Sequence, residues 1–305
     1  MDAAPGHQPV MVREVLEFLQ VRPDGLYIDA TLGGAGHAGA ILERLDRGKL
    51  LAIDQDPQAL TWARERLRGL GEKLMVMEGN FAEIDVLHAA SGLAPVDGVL
   101  ADLGMSSMQL ADPARGFSFS QAGRLDMRMS PKTEITAEQI VNEAGERELA
   151  DLILKLGEER HSRGIARAIV KARPIRTATE LAQVVTRQFP SRAGLHQIHP
   201  ATRTFMALRM AVNRELESLE SLLAKVLGVL RPGGRVVVLS FHSLEDRRVK
   251  HTFRRWQLEG RARLVTRRAV RPSETEVEAN PRARSAKLRV AEKSLEQERG
   301  RSKHN

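Results

Sequence analysis

Residues 25–39 read Gly25-Leu26-Tyr27-Ile28-Asp29-Ala30-Thr31-Leu32-Gly33-Gly34-Ala35-Gly36-His37-Ala38-Gly39. The segment Gly25–Thr31 is a short, mostly apolar run of the kind that forms a buried strand. A glycine cluster follows, and helix-compatible residues continue to about Arg47. Strand, glycine turn and helix in that order open a βα unit whose turn lets a ligand approach the backbone closely.

The same alternation continues outward. Lys49–Asp54 reads as a second strand, and Pro57 opens a helix over Pro57–Leu70. Lys73–Glu78 is a third strand, Phe81–Ala90 a short helix and Val96–Leu103 a fourth strand. Repeated βα units predict a parallel, doubly wound, Rossmann-like α/β sheet. The next strand, Arg235–Phe241, comes after an amphipathic helix over Thr202–Leu230 and a turn at Arg231-Pro232-Gly233-Gly234. The 131 residues from 104 to 234 far exceed the dozen or so that a crossover needs. Thr136-Ala137-Glu138-Gln139 and Thr177-Ala178-Thr179-Glu180 fit capping boxes, and Glu146–Leu156 and Arg160–Ala172 carry apolar residues at helical spacing. A small all-helical domain is therefore expected at 111–199, inserted into a core made of 1–110 and 200–305. A helix over Ser243–Trp256 and two runs, Arg263–Thr266 and Lys287–Ala291, would finish the sheet as an antiparallel pair. Residues 271–283 read as an exposed loop.

Composition narrows the chemistry. The 305 residues are 42% hydrophobic and 28% charged, enough to bury a sizeable core. No apolar run approaches the ~18 residues of a membrane span, and Met1–Met11 lacks a signal-peptide pattern, so a cytoplasmic protein with no membrane partner is expected. Cysteine is absent, which excludes disulfides, thiolate metal sites and a thiol nucleophile. The net charge is +8, and residues 247–305 hold eighteen Lys/Arg against seven Asp/Glu. That basic end suits a phosphate-rich partner or a solvated face.

The glycine turn matches Gly34-x-Gly36-x-x-Gly39, and Asp54 ends strand two at the place where a carboxylate accepts from ribose hydroxyls. Asp54 or Asp56 can instead cap the following helix. Asp29 tilts the choice of ligand. A carboxylate beside the loop would repel a dinucleotide pyrophosphate and would attract the amine and sulfonium of S-adenosylmethionine (SAM). Asp102, in Ala101-Asp102-Leu103-Gly104, emerges at the end of strand four, where a transferred methyl would point. Phe81 stands at the end of strand three, either over an adenine face or in the core.

Longer motifs run through the chain. They include His7-Gln8-Pro9-Val10-Met11, the 29–39 loop, Asp54-x-Asp56-Pro57 and Asp102-Leu103-Gly104-x-Ser106-Ser107-x-Gln109-Leu110. Arg115-Gly116-Phe117-Ser118-Phe119, Leu125-Asp126-Met127-Arg128-Met129 and Gly157-Glu158-Glu159-Arg160 follow. The last are His199-Pro200-Ala201-Thr202-Arg203-Thr204-Phe205, Ser240-Phe241-His242-Ser243-Leu244-Glu245-Asp246-Arg247 and Asn280-Pro281-Arg282-Ala283-Arg284-Ser285. In these the chain resembles, end to end, the bacterial small-subunit (16S) ribosomal RNA cytosine-N4 methyltransferases. The resemblance implies a SAM-dependent methyltransferase sheet and methylation of one cytidine of the 16S rRNA decoding centre, within the small ribosomal subunit. It places SAM contacts on Ala35, Gly36, His37, Asp54, Phe81, Asp102 and Gln109, with no metal. Ala35 stands where relatives often carry Gly, and a methyl there is unstrained only at negative φ.

Methyl transfer from a sulfonium is an in-line displacement, so alignment is the main task. Cytosine N4 is a weak nucleophile, and an acceptor on its N–H makes the lone pair more available. Asp102 or the Leu103 carbonyl can supply that acceptor; Asp102 can equally serve SAM alone. The missing cysteine agrees with an exocyclic amine, since methylation at C5 ordinarily uses a thiol adduct. The target base must be unstacked. Phe117 and Phe119 are candidate stacking partners, or else core residues. His199, Arg203 and His242 are cleft candidates, or a helix start and a satisfied polar histidine. The rival readings are a nicotinamide dehydrogenase and an RNA-binding assembly factor without turnover.

Overall fold

The computed structural model describes residues 9–120, 122–189 and 199–295. His7, Gln8 and the terminal cations Arg299, Arg301 and Lys303 lie outside them. The strands are β1 Leu26–Asp29, β2 Lys49–Asp54, β3 Leu74–Glu78, β4 Val96–Asp102, β5 Leu230–Ser240, β6 Ala262–Leu264 and β7 Lys287–Lys293. The helices, in chain order, begin with α1 Val12–Leu19, α2 Gly36–Leu42, α3 Pro57–Arg66, α4 Ile84–Ser91, α5 Ser107–Ala111 and α6 Ala137–Glu143. They continue with α7 Glu146–Gly157, α8 Ser162–Ala172, α9 Ala178–Thr186, α10 Thr202–Asn213, α11 Glu215–Val229, α12 Ser243–Leu258 and α13 Glu274–Ala279.

The chain divides into two compact units, 1–104 with 216–305, and 105–215. The first holds a seven-stranded sheet in the order β3-β2-β1-β4-β5-β7-β6. β1 to β5 pair in parallel, and β7 lies antiparallel between β5 and β6. Alternating side chains explain why the strands are apolar throughout. Leu50, Ala52, Leu100, Val237 and Leu239 face one core with α1, α2 and α3. Leu51, Ile53, Val99, Ala101, Val236 and Val238 face the other, with α4, α11 and α12. A sheet covered on both sides has no polar face to display. The order reverses between β1 and β4, and in open α/β sheets such a reversal marks, at the strands' carboxyl ends, the usual place for a ligand.

The second unit is helical, around Leu149, Ile153, Ile165, Ile169, Leu181 and Val185. Both expected capping boxes form: Thr136 with Gln139, and Thr177 with Glu180.

Several elements differ from the sequence reading. The helix expected over Thr202–Leu230 is two helices, broken at Arg214 with φ 49°. α10 buries Phe205, Leu208 and Val212 in the helical core. Asn213 Oδ1 accepts from Met129 N at 2.7 Å, and its Nδ2 donates to Met127 O at 2.8 Å. Residues 200–215 thus belong with the helical unit, whose bounds fall at 105 and 215 instead of 111 and 199. β5 begins at Leu230, so Arg231–Gly234 lies within the strand, where the pairing with β4 shifts register between Val96 and Gly98. The 271–283 stretch contains α13, capped by Ser273, and a 3-10 turn over Pro281–Ser285.

Candidate functional site

Three carboxylates gather at the carboxyl ends of β1, β2 and β4. Asp29, which ends β1, is 1% exposed. Its Oδ1 accepts from Thr31 N at 3.1 Å, and its Oδ2 is buried with no partner. Burial pushes this carboxyl up to about 6. Asp54, at the end of β2, accepts from Gly33 N on Oδ2 at 2.8 Å and from Asp56 N on Oδ1 at 2.9 Å. Burial pushes it to about 6 as well. The capping role falls to Asp56, whose Oδ1 accepts from Gln58 N ahead of Pro57. Asp54 is therefore the carboxylate that grips the glycine loop.

Asp102 closes β4. Its backbone N donates to Thr31 Oγ1 at 2.7 Å, which pins the end of β4 to the loop after β1. Its Oδ1 is buried without a partner. Desolvation, and then the negative charge of Glu245, push Asp102 up to about 7. Glu245 is buried at the start of α12, where its Oε2 accepts from Phe241 N at 3.0 Å.

The loop between these carboxylates is tightly held. Gly33 has φ 46°, and Gly34 O accepts from Arg66 Nη1 of α3 at 3.0 Å. A Cβ on Gly36 would come within 2.8 Å of the Pro9 ring, so only glycine lets these segments touch. Ala35 does not take the negative φ that would leave its methyl unstrained: it caps α2 at φ 59°, ψ 20°, in left-handed conformation. Its N donates to Leu32 O at 2.8 Å and its methyl is buried. The turn dictates the backbone there, and the alanine bears a strain of about 1 kcal/mol. His37 follows, its ring buried, with Nε2 2.9 Å from Val10 O and Nδ1 3.5 Å from Asp102 Oδ2.

Phe81 is half-buried in a 3-10 turn capped by Asn80, beside the core face that α4 and α11 cover. Asn80 Oδ1 accepts from Ala82 N at 2.9 Å, and Gly79 N donates to Asp54 O at 3.0 Å, which ties the Phe81 turn to the end of β2.

Other candidates have structural work. Gln109 belongs to the helical unit, where its Oε1 accepts from Ser106 N at 3.0 Å in a capping box. Phe117 is buried, with the Arg115 guanidinium 5.8 Å from its ring centre. Phe119 is less enclosed and stacks on the exposed His199 ring at 4.4 Å, with Phe205 edge-on at 5.0 Å. His199 Nδ1 also accepts from Ala201 N, a helix-start contact. Arg203 Nη1 lies 3.6 Å from the buried Glu159. His242 caps α12 together with Glu245. Sequence reasoning quoted Val10 and Glu245 within motifs without giving them a role, and passed over Glu276, because each acts on a residue far away along the chain.

The donor set is chemically one-sided. Burial raises all three carboxyls, and two of their oxygens have no partner among the described residues. A ligand carrying an ammonium and a sulfonium would offset that charge, and ribose hydroxyls can donate to Asp54. A pyrophosphate would add repulsion. The residues present thus fit SAM and disfavour a nicotinamide dinucleotide.

The MraW methylase family matches residues 4–294. The chain is 50% identical over 307 residues to a Geobacter sulfurreducens protein called Ribosomal RNA small subunit methyltransferase H, covering 94% of this chain and 98% of that one. A Cyanothece protein of the same name is 50% identical over 94% of each chain. Among solved structures, an rRNA methylase from Streptococcus thermophilus is 13% identical, with a TM-score of 0.45, covering 95% of this chain and 98% of that one. No helix among the described residues is long and apolar enough to cross a membrane. The near-complete match to one family, on a glycine loop ringed by carboxylates, leads to one conclusion: the chain belongs to the MraW methylase family and is a SAM-dependent methyltransferase.

Proposed function

We propose that this chain methylates the exocyclic N4 of a cytidine in the decoding centre of 16S rRNA, within the small ribosomal subunit. The observation that carries the RNA substrate is the agreement, over nearly the whole chain, with relatives called Ribosomal RNA small subunit methyltransferase H. The motif resemblance and the chemistry of the site support the choice of N4. No cysteine exists to form an adduct with a pyrimidine ring, whereas an exocyclic amine needs only an acceptor and an aligned methyl donor.

In this reading Ala35, Gly36 and His37 line the donor's amino-acid end, Asp54 takes the ribose hydroxyls, and Phe81 covers the adenine. Asp102 is the acceptor for the amine hydrogen, and its unpartnered Oδ1 supports that role. The exposed Arg282 and Arg284, on the turn over Pro281–Ser285, meet RNA phosphates. Small subunits lacking the modification are incubated with methyl-labelled SAM, and their RNA is digested to nucleosides. Label in N4-methylcytidine is the expected result. Label in another nucleoside, or none, overturns the reading.

A further inference from the structure

Two acceptor atoms face each other beneath the glycine loop. The Val10 carbonyl can only accept, so the 2.9 Å contact places the imidazole proton of His37 on Nε2. Burial lowers the His37 pKa and keeps the ring neutral, which leaves Nδ1 as a bare lone pair. That lone pair lies 3.5 Å from Asp102 Oδ2. A lone pair opposite an ionised carboxylate is repulsive, and one proton between them turns the contact into a hydrogen bond.

The orientation of His37 is built from distant parts of the chain. Met11, with φ 53°, donates its N to Glu276 Oε1 of α13 at 2.6 Å. Pro9 packs against Gly36. The short strap Pro9–Met11, which carries the Val10 carbonyl, is thus clamped between the loop and α13. Ordinary core packing would not require a buried ring to be tethered at one nitrogen and aimed with the other at a carboxylate.

We propose that His37 is a positioning residue for methyl transfer: its Nδ1 shares the proton that Asp102 takes from the substrate amine. The proposal rests on the amine substrate argued above. In the transfer the carbon–sulfur bond breaks toward sulfur and a nitrogen–carbon bond forms. The surplus proton on nitrogen leaves for Asp102, and nothing is oxidised or reduced. Asp102 keeps that proton, and with the hydrogen on Oδ2 the carboxyl donates to the Nδ1 lone pair while the ring stays neutral. The charged groups acting on the pair are carboxylates: Asp29 and Glu276 on His37, and Glu245 on Asp102. All of them favour a retained proton.

The test is nitrogen-15 NMR of the ligand-free full chain labelled at histidine, with His37 assigned by its loss in His37→Gln. The expected spectrum shows the Nε2–H tautomer at pH 8 and an Nδ1 signal that moves as the pH falls toward 6. Asp102→Asn should abolish that movement. An Nδ1–H tautomer, or an Nδ1 signal indifferent to Asp102→Asn between pH 5 and 8, overturns the proposal. In a second arm, His37→Gln keeps an amide that can donate to Val10 O but has no acceptor at the Nδ1 position. Single-turnover methylation at saturating SAM should fall about 100-fold, the low end for positioned proton transfer. A rate at saturating SAM within about threefold of wild type would mean that His37 only packs the loop. If the wild-type chain methylates no amine, the substrate reading falls, and the NMR arm still decides the pairing.

Discussion

Replacing Asp102 by Asn tests the electrostatic account of the site most directly. The carboxyl is pushed from 3.8 to about 7, chiefly by burial and then by Glu245. Roughly three pH units at about 1.4 kcal/mol each give about 4 kcal/mol as the cost of ionising it in the ligand-free fold. The side chain is 26% exposed, and water recovers part of that cost, so about 2–4 kcal/mol is expected. The sign follows from linkage. A raised carboxyl holds its proton more tightly folded than unfolded. The fold carries no penalty from it below the unfolded value, and loses stability as the pH rises from about 4 through 7. Asn keeps the shape, never ionises, and can donate to His37 Nδ1. The ligand-free variant should therefore melt about 5–10 °C above wild type at pH 8, and above it by only about a quarter of that margin at pH 4.5. Thermal unfolding followed by intrinsic fluorescence at the two pH values reads the difference. Saturating SAM should narrow the gap at pH 8, because its cationic groups favour the carboxylate that only wild type has. A variant less stable than wild type at pH 8, or one stabilised equally at both pH values, would refute the reasoning.

Further outcomes follow from the same geometry. Asp54→Ala removes the grip on Gly33 and the proposed ribose acceptor. SAM affinity measured by calorimetry should drop about 10- to 100-fold with RNA affinity nearly unchanged, and equal loss of both would contradict the assignment. SAM should bind more tightly as the pH rises from 5 to 8, since Asp29, Asp54 and Asp102 ionise across that range; a flat profile would separate these carboxyls from the donor. Ala35→Gly should leave the melting temperature unchanged or raised, because about 1 kcal/mol of left-handed strain offsets the methyl packing that is removed. A clear drop would mean that the methyl matters more than the strain. Neutralising Arg282 and Arg284 should weaken RNA binding and reduce the salt slope by roughly 0.9 for each phosphate no longer neutralised. An unchanged slope would remove this turn from the RNA-binding surface.

Much of the molecule was legible in the chain alone, wherever the signal is local. The βα rhythm, the glycine turn, the Asp54 and Asp102 strand ends and the two threonine capping boxes each depend on a few neighbouring residues. Local chemistry also set the exclusions that follow from having no cysteine. Reading failed where a local pattern left several outcomes open. Apolar spacing runs through 202–230 without interruption, yet Arg214 turns left-handed because Asn213 is held by Met127 and Met129, more than eighty residues earlier. Arg231–Gly234 looks like a turn, and Gly233 is left-handed there, but β4 pairs with Leu230 before it and Arg235 after it, so the stretch is a bulge within β5. The antiparallel pair that finishes the sheet was legible, but its order was not, since nothing local tells β7, the later strand, to lie beside β5 with β6 outside it.

The sequence by itself determined the kind of sheet, the glycine loop proposed to face the ligand and the carboxylates beside it. Only the tertiary structure decided what those carboxylates experience. Val10, His37, Asp102, Glu245 and Glu276 come from five separate stretches of chain, and their mutual distances do not exist until the sheet closes. Burial and the neighbouring charges then set where each proton resides, because the energy of an ionised group depends on its surroundings in space and not on its place along the chain.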